Sequence, residues 1–207
     1  MRRLLPLTMI LAAGLVSFGC GSFSKPDLEK NRFALEVRRP RRVPARGERR
    51  LLVPAFHVDV AFAGRGFVYR SAPGEYRTDF YNEFFAPPGD MIAALTRRWL
   101  AGSGLFASVS AGGSRESVTE ILEADVTALY GDYTETRGQA VFEIRVTRLG
   151  GEGMQLLGQK EYAFEEPLED DEPSTLAAGW SACLGRFLAA LEEDLRRGGE
   201  EAPASGS

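Results

Sequence analysis

One histidine and one nearby carboxylate are the residues of this chain that come nearest to a catalytic pair. His57 and Asp59 lie two positions apart on a predicted strand, where a carboxylate can orient an imidazole. Because His57 is the only histidine, Ser/His/Asp chemistry would depend on this one residue, and a metal site with two histidine ligands is excluded. We therefore interpret His57 as a partly exposed strand residue.

Three groups of acidic residues are the other candidates for acid/base or metal chemistry. They are the same-face pairs Asp79 with Glu83 and Glu123 with Asp125, and the acidic run over residues 165–172. Such pairs are common on exposed strand faces, and the run lacks the turn glycine of an EF-hand calcium loop. The chain also has no Gly-x-Ser-x-Gly, Walker or Cys-x-x-Cys motif. The sequence predicts no enzyme activity, no catalytic residues, no metal site and no cofactor.

Length and composition place the chain among ordinary globular proteins. Its 207 residues are enough for one main domain, and 44% of them are hydrophobic while 26% are charged. The formal net charge of −4 excludes a general nucleic-acid binder.

The N-terminus has the pattern of an export signal. Arg2 and Arg3 precede an apolar stretch over residues 4–16, which is too short to span a bilayer. A short basic region followed by such a stretch is typical of a secretory signal peptide. We assign residues 1–19 to this signal.

Cys20 is the predicted site of lipid attachment. Gly19 and Cys20 resemble a bacterial lipobox, although Ser17 occupies a position where leucine is usual. The alternative is an ordinary signal peptide with an incidental cysteine. Lipidation would leave Cys183 unpaired, as a buried free thiol. Gly21 replaces the aspartate that retains many lipoproteins at the inner membrane, so the expected location is the periplasmic face of the outer membrane.

The hydrophobic pattern after a tether over residues 20–31 predicts a mixed α/β domain over residues 32–197. Strands are predicted at 32–37, 51–62, 67–70, 76–85 and 105–110, followed by a meander near 122–130, 140–147 and 156–164. A first helix begins with Asp90 as its cap, and a second begins at Ser174. Residues 198–207 are predicted to be a disordered tail.

Residues 38–50 are expected to form an arginine-rich loop. They include seven arginines and two prolines. Such a loop can contact anionic lipid headgroups or an acidic partner, and it can equally be a solvated loop with no ligand.

The order of the segments resembles the ABC-type transport auxiliary lipoproteins, the family that includes the paraquat-inducible protein C type. The shared features are the strand 51–62, Tyr69-Arg70, the aromatic strand 76–85, Ala86-Pro87-Pro88 with its helix, and Phe106-Ala107-Ser108-Val109. Phe85 stands where the family often has tryptophan. The resemblance covers about residues 33–195.

The resemblance implies a three-layer α/β sandwich like the anticodon-binding and TolB N-terminal domains, with two main helices on a mixed sheet. It also implies a non-catalytic lipoprotein that docks or assembles a lipid-transport system. The implied partners are an ABC permease and a mammalian-cell-entry (MCE) domain protein, and a homo-oligomer is a further possibility.

Exposed aromatic residues and one arginine near the strand-to-helix corner are the candidate docking residues. They are Tyr69, Arg70, Tyr81, Phe85 and Pro87, with Pro88 beside them. We expect Phe85 and Pro88 to pack this corner. An Arg70→Glu substitution is expected to weaken partner binding with little change in melting temperature.

Three other functions remain open on sequence grounds. One is a lipid-binding chaperone, which needs an enclosed apolar cavity between sheet and helix. Another is a lipoprotein of lipopolysaccharide assembly. The third is a cell-envelope enzyme that uses His57.

Overall fold

A mixed sheet carries two helices in the computed structural model, which describes residues 29–45, 47–112, 117–151 and 153–200. The signal peptide and Cys20 lie outside these residues. The strands are β1 (Asn31–Phe33), β2 (Arg50–Leu52), β3 (His57–Val58), β4 (Gly66–Ala72), β5 (Glu75–Phe84), β6 (Ser108–Ser110), β7 (Glu120–Asp132), β8 (Gln139–Gly150) and β9 (Leu156–Pro167). The helices are α1 (Pro88–Ala101) and α2 (Pro173–Glu200). Among the described residues, no helix is long and apolar enough to cross a membrane.

Strand β7 is the centre of the sheet. One edge of β7 pairs antiparallel with β8, which pairs antiparallel with β9, so the predicted meander is confirmed. The other edge pairs in succession with β2, β3 and β4, all parallel. Strand β5 joins β4 antiparallel, while β1 joins β5 and β6 joins β2 in parallel.

Both helices pack on the same face of the sheet. Four paired residues form an apolar row across it: Val58, Val126, Ile144 and Tyr162. Side chains of directly paired residues point to the same face. At one end of the row Val58 meets Gly89 of α1, and at the other the ring of Tyr162 meets Phe187 of α2, with ring centroids 5.3 Å apart.

The opposite face of the sheet carries charged side chains at the neighbouring register. The row one residue earlier is His57, Asp125, Arg145 and Glu161. Arg145 and Glu161 form an ion pair of 2.7 Å, and His57 is exposed. The predicted mixed α/β sandwich with two helices on the sheet is confirmed. Within the described residues, no helix covers this polar face, so the structure has a sheet layer and one helix layer where three layers were expected. Similarity to anticodon-binding domains stays a prediction.

Proline interrupts the predicted strand 51–62, which is two short strands in the structure. Leu51 and Val53 are buried before Pro54, and Phe56 and Val58 are buried after it. The buried alternation therefore shifts by one residue across Pro54. Pro54 has no amide hydrogen for the sheet and ends β2 locally. The predicted strand also ends too late, since Val60 is 90% exposed in the turn that follows β3.

The ends of three other elements differ from the prediction. Strand β1 is only three residues long, and the chain after Phe33 leaves the sheet to run against the helices. Pro87, not Asp90, is the N-cap of α1, and Asp90 lies in its first turn. Helix α2 continues to Glu200, three residues beyond the predicted end of the domain.

Aromatic side chains fill the space beneath α2. Trp180 contacts Phe67 and Phe84, with ring centroids 4.8 and 5.1 Å apart, and all three are fully buried. Cys183 lies one turn further along α2 and is a buried free thiol, as predicted. Burial raises the pKa of this thiol, which keeps it protonated and unreactive.

A buried carboxylate, Glu192 of α2, holds the extended segment 34–45 against both helices. Its oxygens accept hydrogen bonds from Arg39 Nη2 at 2.9 Å, Trp99 Nε1 at 2.8 Å and Arg196 Nη2 at 2.7 Å. We call these four residues the Glu192 cluster. Burial alone would raise the pKa of Glu192, but the bonds from Arg39 and Trp99 and the charge of Arg39 hold it below its ordinary value.

The Glu192 cluster should make the free energy of unfolding decrease at acidic pH. Because the folded-state pKa is depressed, its stabilisation is complete above about pH 5 and is lost as the pH falls through the folded value. We expect Glu192→Gln to reduce the free energy of unfolding by about 3 kcal/mol at neutral pH, since it leaves a buried guanidinium unpaired. The difference from wild type should shrink below pH 4.5, measured by urea unfolding at several pH values. The control is Glu193→Gln, whose exposed carboxylate pairs only on the helix surface; an equal loss in both variants contradicts the prediction.

Two helix glycines give a test of how α1 sits on the sheet. A Cβ on Gly89 would lie 2.3 Å from the Phe56 carbonyl oxygen, whereas one on Gly185 of α2 would meet only Val37 at 3.7 Å. Gly89→Ala should therefore reduce the free energy of unfolding by about 1–3 kcal/mol. Gly185→Ala should increase it by about 0.5–1 kcal/mol, because alanine favours the helix. Denaturant unfolding measures both, and similar effects would show that α1 is free to move away from Phe56.

Candidate docking surface

Three of the residues weighed for catalysis, Asp59, Asp79 and Glu83, make structural contacts. Asp59 accepts the amide of Ala61 at 2.9 Å in the turn after β3, and it does not pair with His57 in the sheet. Glu83 forms ion pairs with Lys30, Arg32 and Arg65 at 2.9–3.2 Å. The spacing that placed Asp79 and Glu83 on one face therefore does not bring them together as an acid/base pair, because each carboxylate has its own partners.

Arg70 of β4 forms an ion pair with Asp132 of β7. The two residues are directly paired in the sheet, and the guanidinium also lies over the Tyr130 ring at 5.0 Å. Asp132 is 4% exposed and also accepts the Thr134 amide at 3.0 Å. Burial by itself would raise the pKa of Asp132, but the hydrogen bonds from Arg70 and Thr134 hold it below its ordinary value. Arg70 therefore compensates the buried charge of Asp132.

Tyr69, the neighbouring candidate, supports a bulge in β5 through Asp79. The Tyr69 hydroxyl donates to Asp79 Oδ2 at 2.8 Å. Asp79 also accepts the amides of Tyr81 at 2.7 Å and Asn82 at 3.0 Å, and the Asn82 side-chain amide at 2.8 Å. Burial, with the bond to Asp79, raises the pKa of Tyr69, so the hydroxyl stays a donor. One carboxylate therefore fixes the local backbone.

Residues 79–82 form this bulge, which we call the aromatic bulge. In the register of β4 and β5, Val68 pairs with Thr78 and Gly66 pairs with Glu83, so four residues face Phe67 alone. A Cβ on Gly66 would lie 2.6 Å from the Asp79 carbonyl oxygen, so glycine permits this close approach. The bulge directs Phe80 and Tyr81 outward, with 57% and 50% of each residue exposed and ring centroids 5.3 Å apart.

Phe85 and Pro87 continue the exposed surface beyond the end of β5. Phe85 is 64% exposed, so the expectation that it packs the corner is wrong. Its amide donates to the Phe33 carbonyl at 2.7 Å, which fixes the backbone while the ring faces solvent. Pro87 is exposed at the N-cap of α1, whereas Pro88 is buried as expected.

The structure therefore divides the five predicted docking residues into two groups. Tyr81, Phe85 and Pro87 are exposed, whereas Tyr69 binds Asp79 beneath the bulge and Arg70 is paired with Asp132. Sequence reasoning missed Phe80, whose ring centroid lies 4.8 Å from Lys30 Nζ. Phe80 and Tyr81 are adjacent, and adjacent side chains of a regular strand point to opposite faces, so the sequence does not place both on the surface. The one sequence feature that indicates the bulge is the Asp79-x-x-Asn82 pattern.

The contacts of Arg70 change the expected effect of Arg70→Glu. A glutamate here would lie beside buried Asp132, so we expect a loss of about 3 kcal/mol or more in the free energy of unfolding. The matched control is Arg77→Glu on β5, whose pair with Glu75 is exposed, so this variant should unfold close to wild type. Thermal and urea unfolding measure both, and an unchanged melting temperature for Arg70→Glu would restore its role as a free docking residue.

Solved structures share this fold. Protein XCC0632 from Xanthomonas campestris superposes with a TM-score of 0.72 at 19% identity, covering 83% of this chain and 99% of that one. The crystal structure of an uncharacterised protein gives a TM-score of 0.66 at 17% identity, covering 81% of this chain and 99% of that one. At these identities the likeness concerns the fold alone. A comparison with curated proteins gave no significant match.

The sequence profile of one family covers β1 through most of α2. It is described as the ABC-type transport auxiliary lipoprotein component, and it matches residues 33–192. This range contains β2 to β9, α1, the aromatic bulge and the cluster residues Arg39, Trp99 and Glu192. The predicted resemblance is thereby confirmed: the chain belongs to the ABC-type transport auxiliary lipoprotein family.

Proposed function

We propose that this protein is a non-catalytic adaptor that docks an ABC-type lipid-transport system to a membrane. The observation that carries the proposal is the family match over residues 33–192, which gives a transport-associated lipoprotein. In the proposal, Cys20 carries the N-terminal lipid and the domain lies in the periplasm at the outer membrane. An MCE-domain protein and an ABC permease are the proposed partners, and a homo-oligomer is compatible with this arrangement.

The proposed docking surface consists of Phe80, Tyr81, Phe85 and Pro87. Exposed aromatic side chains on a fixed backbone lose little conformational entropy on binding, which favours them as interface anchors. Asp79 fixes the bulge, and the Phe33 carbonyl fixes the backbone of Phe85. The surface therefore offers apolar area without requiring the domain to rearrange.

The tether sets how far this surface can lie from the membrane. Residues 20–30 span at most about 40 Å when fully extended. Lys30, the last of them, lies directly against Phe80 of the aromatic bulge. A lipid on Cys20 would keep the docking surface within this distance of the bilayer, which suits a partner that is itself embedded in or attached to the envelope.

An acyl-chain chaperone is less favoured by the packing between sheet and helices. Trp180, Phe187 and Leu188 fill that space and are at most 1% exposed. An acyl chain would have to displace these side chains. A role in lipopolysaccharide assembly shares the anchor and the fold, so the identity of the captured partner distinguishes it from the adaptor.

The test is a crosslinked pull-down of the full-length protein, extracted from membranes and identified by mass spectrometry. Wild type should recover an MCE-domain protein or an ABC permease from the outer-membrane fraction. Tyr81→Ser combined with Phe85→Ser should reduce recovery at least tenfold, because it removes two exposed anchors without touching the core.

Two controls separate docking from surface hydrophobicity and from anchoring. Leu156→Ser combined with Leu157→Ser removes exposed apolar side chains on β9 and should leave recovery unchanged. Cys20→Ala should release the protein from the outer membrane. Recovery of neither partner class by wild type, or an equal loss in both double variants, would overturn the proposal.

A further inference from the structure

A cleft between the extended segment 34–45 and helix α1 has the features of an anion-binding site. It has a volume of about 310 Å³ and continues into a second cleft of about 430 Å³. The first is lined by Val37, Arg38, Arg39, Arg42, Leu95, Arg98, Trp99 and Gly102. The second shares four of these residues and adds apolar ones, including Leu35 and Met91. We call the first part the arginine cleft.

Three guanidinium groups in the arginine cleft have no acidic partner among the described residues. Arg38, Arg42 and Arg98 form no ion pair there, whereas Arg39 is paired with Glu192. Of the residues that line the two clefts, Glu36 in the second is the acidic one. A chain with a net charge of −4 thus concentrates unpaired positive charge at one place.

The walls of the arginine cleft are held in place before any ligand arrives. Trp99 donates its indole hydrogen to Glu192, and the Arg39 guanidinium lies 5.2 Å from the Trp99 ring centroid. Gly102 closes the end of the cleft, where a Cβ would lie 3.0 Å from Arg39 Cδ. Preorganised walls reduce the entropy lost on binding.

We propose that the arginine cleft binds the phosphate group of an anionic phospholipid. Guanidinium groups bind phosphate oxygens through paired hydrogen bonds and lose less hydration than ammonium groups. The phosphate lies among Arg38, Arg42 and Arg98. The glycerol and the first part of an acyl chain extend over Val37 and Leu95 into the second cleft.

The choice of a lipid rather than an acidic protein segment follows from the form of the cleft and from its position in the chain. The charged end continues into apolar walls, which matches a headgroup joined to an acyl chain. The cleft also begins directly after β1, whose tether would reach the bilayer. This second argument rests on the proposed lipidation of Cys20, whereas the cleft and its charges do not.

The test measures binding of water-soluble phospholipids to the full-length protein in a neutral detergent. Trp99 lines the cleft and Trp180 is buried, so a change in tryptophan fluorescence reports on the site. Dihexanoyl phosphatidylglycerol should bind at least tenfold more tightly than dihexanoyl phosphatidylcholine. Arg42→Gln combined with Arg98→Gln should weaken phosphatidylglycerol binding at least tenfold.

The matched control is Arg77→Gln combined with Arg145→Gln, which removes the same charge from the sheet and should leave binding unchanged. Both double variants are expected to keep the wild-type melting temperature. If the cleft variant melts early, phenylglyoxal labelling of wild type takes its place, and phosphatidylglycerol should protect Arg42 and Arg98 but not Arg77.

Four results would overturn the assignment. These are equal binding of the two lipids, equal loss in both double variants, absence of arginine protection, and binding of inorganic phosphate as tight as that of phosphatidylglycerol. A hexaglutamate peptide that binds more tightly than phosphatidylglycerol would assign the cleft to an acidic protein segment instead. Loss of partner recovery in the pull-down leaves this assignment unaffected, because soluble lipid binding needs neither the anchor nor the transporter.

Discussion

The charge of Glu192 is the constraint on which the arrangement outside the sheet depends. A carboxylate that is 7% exposed requires nearly all of its hydrogen bonds from the protein. Here they come from the segment after β1, from α1 and from the next turn of α2. Segment 34–45 has no strand partner among the described residues. The ion pair holds it between the helices together with the Glu36 amide, which donates to Ser181 Oγ at 3.1 Å, and the Val43 amide, which donates to the Gly102 carbonyl at 2.9 Å. The arginine cleft exists because that segment is held there.

Hydrogen-bonded carboxylates also fix the chain at three other irregular places in the fold. Asp79 holds the aromatic bulge, and Asp132 fixes the chain where β7 ends. Glu120, at the start of β7, pairs with Arg49 at 2.6 Å and with Arg148 at 3.1 Å. Glu192, Asp132 and Glu120 are each compensated by an arginine at least 28 positions away, whereas Asp79 binds its own neighbours and Tyr69 of the adjacent strand. These irregular places therefore form only when the sheet register is correct, which couples the candidate surfaces to the fold.

Regular elements could be predicted from the sequence, and these long-range contacts could not. The meander and both helices follow from alternation and helical spacing, which are local properties. Arg70 and Asp132 are 62 positions apart, and no local pattern indicates that they pair. The arginine-rich loop shows the same division: Arg39 and Arg49 are taken up by buried acids, while Arg38 and Arg42 remain available. Composition predicts the arginine-rich loop, but the sheet register determines which of its arginines pair with buried acids.

The aromatic bulge also determines how β5 can be recognised by another chain. Beyond the three residues paired with β1, the outer edge of β5 has no strand partner among the described residues. A regular edge would offer its amides and carbonyls to any incoming strand. In the bulge, the Tyr81 amide donates to Asp79, and the backbone no longer follows a straight ladder. This edge of β5 is therefore less able to pair with a strand of another molecule, and a partner that binds here must recognise side chains instead of the main chain.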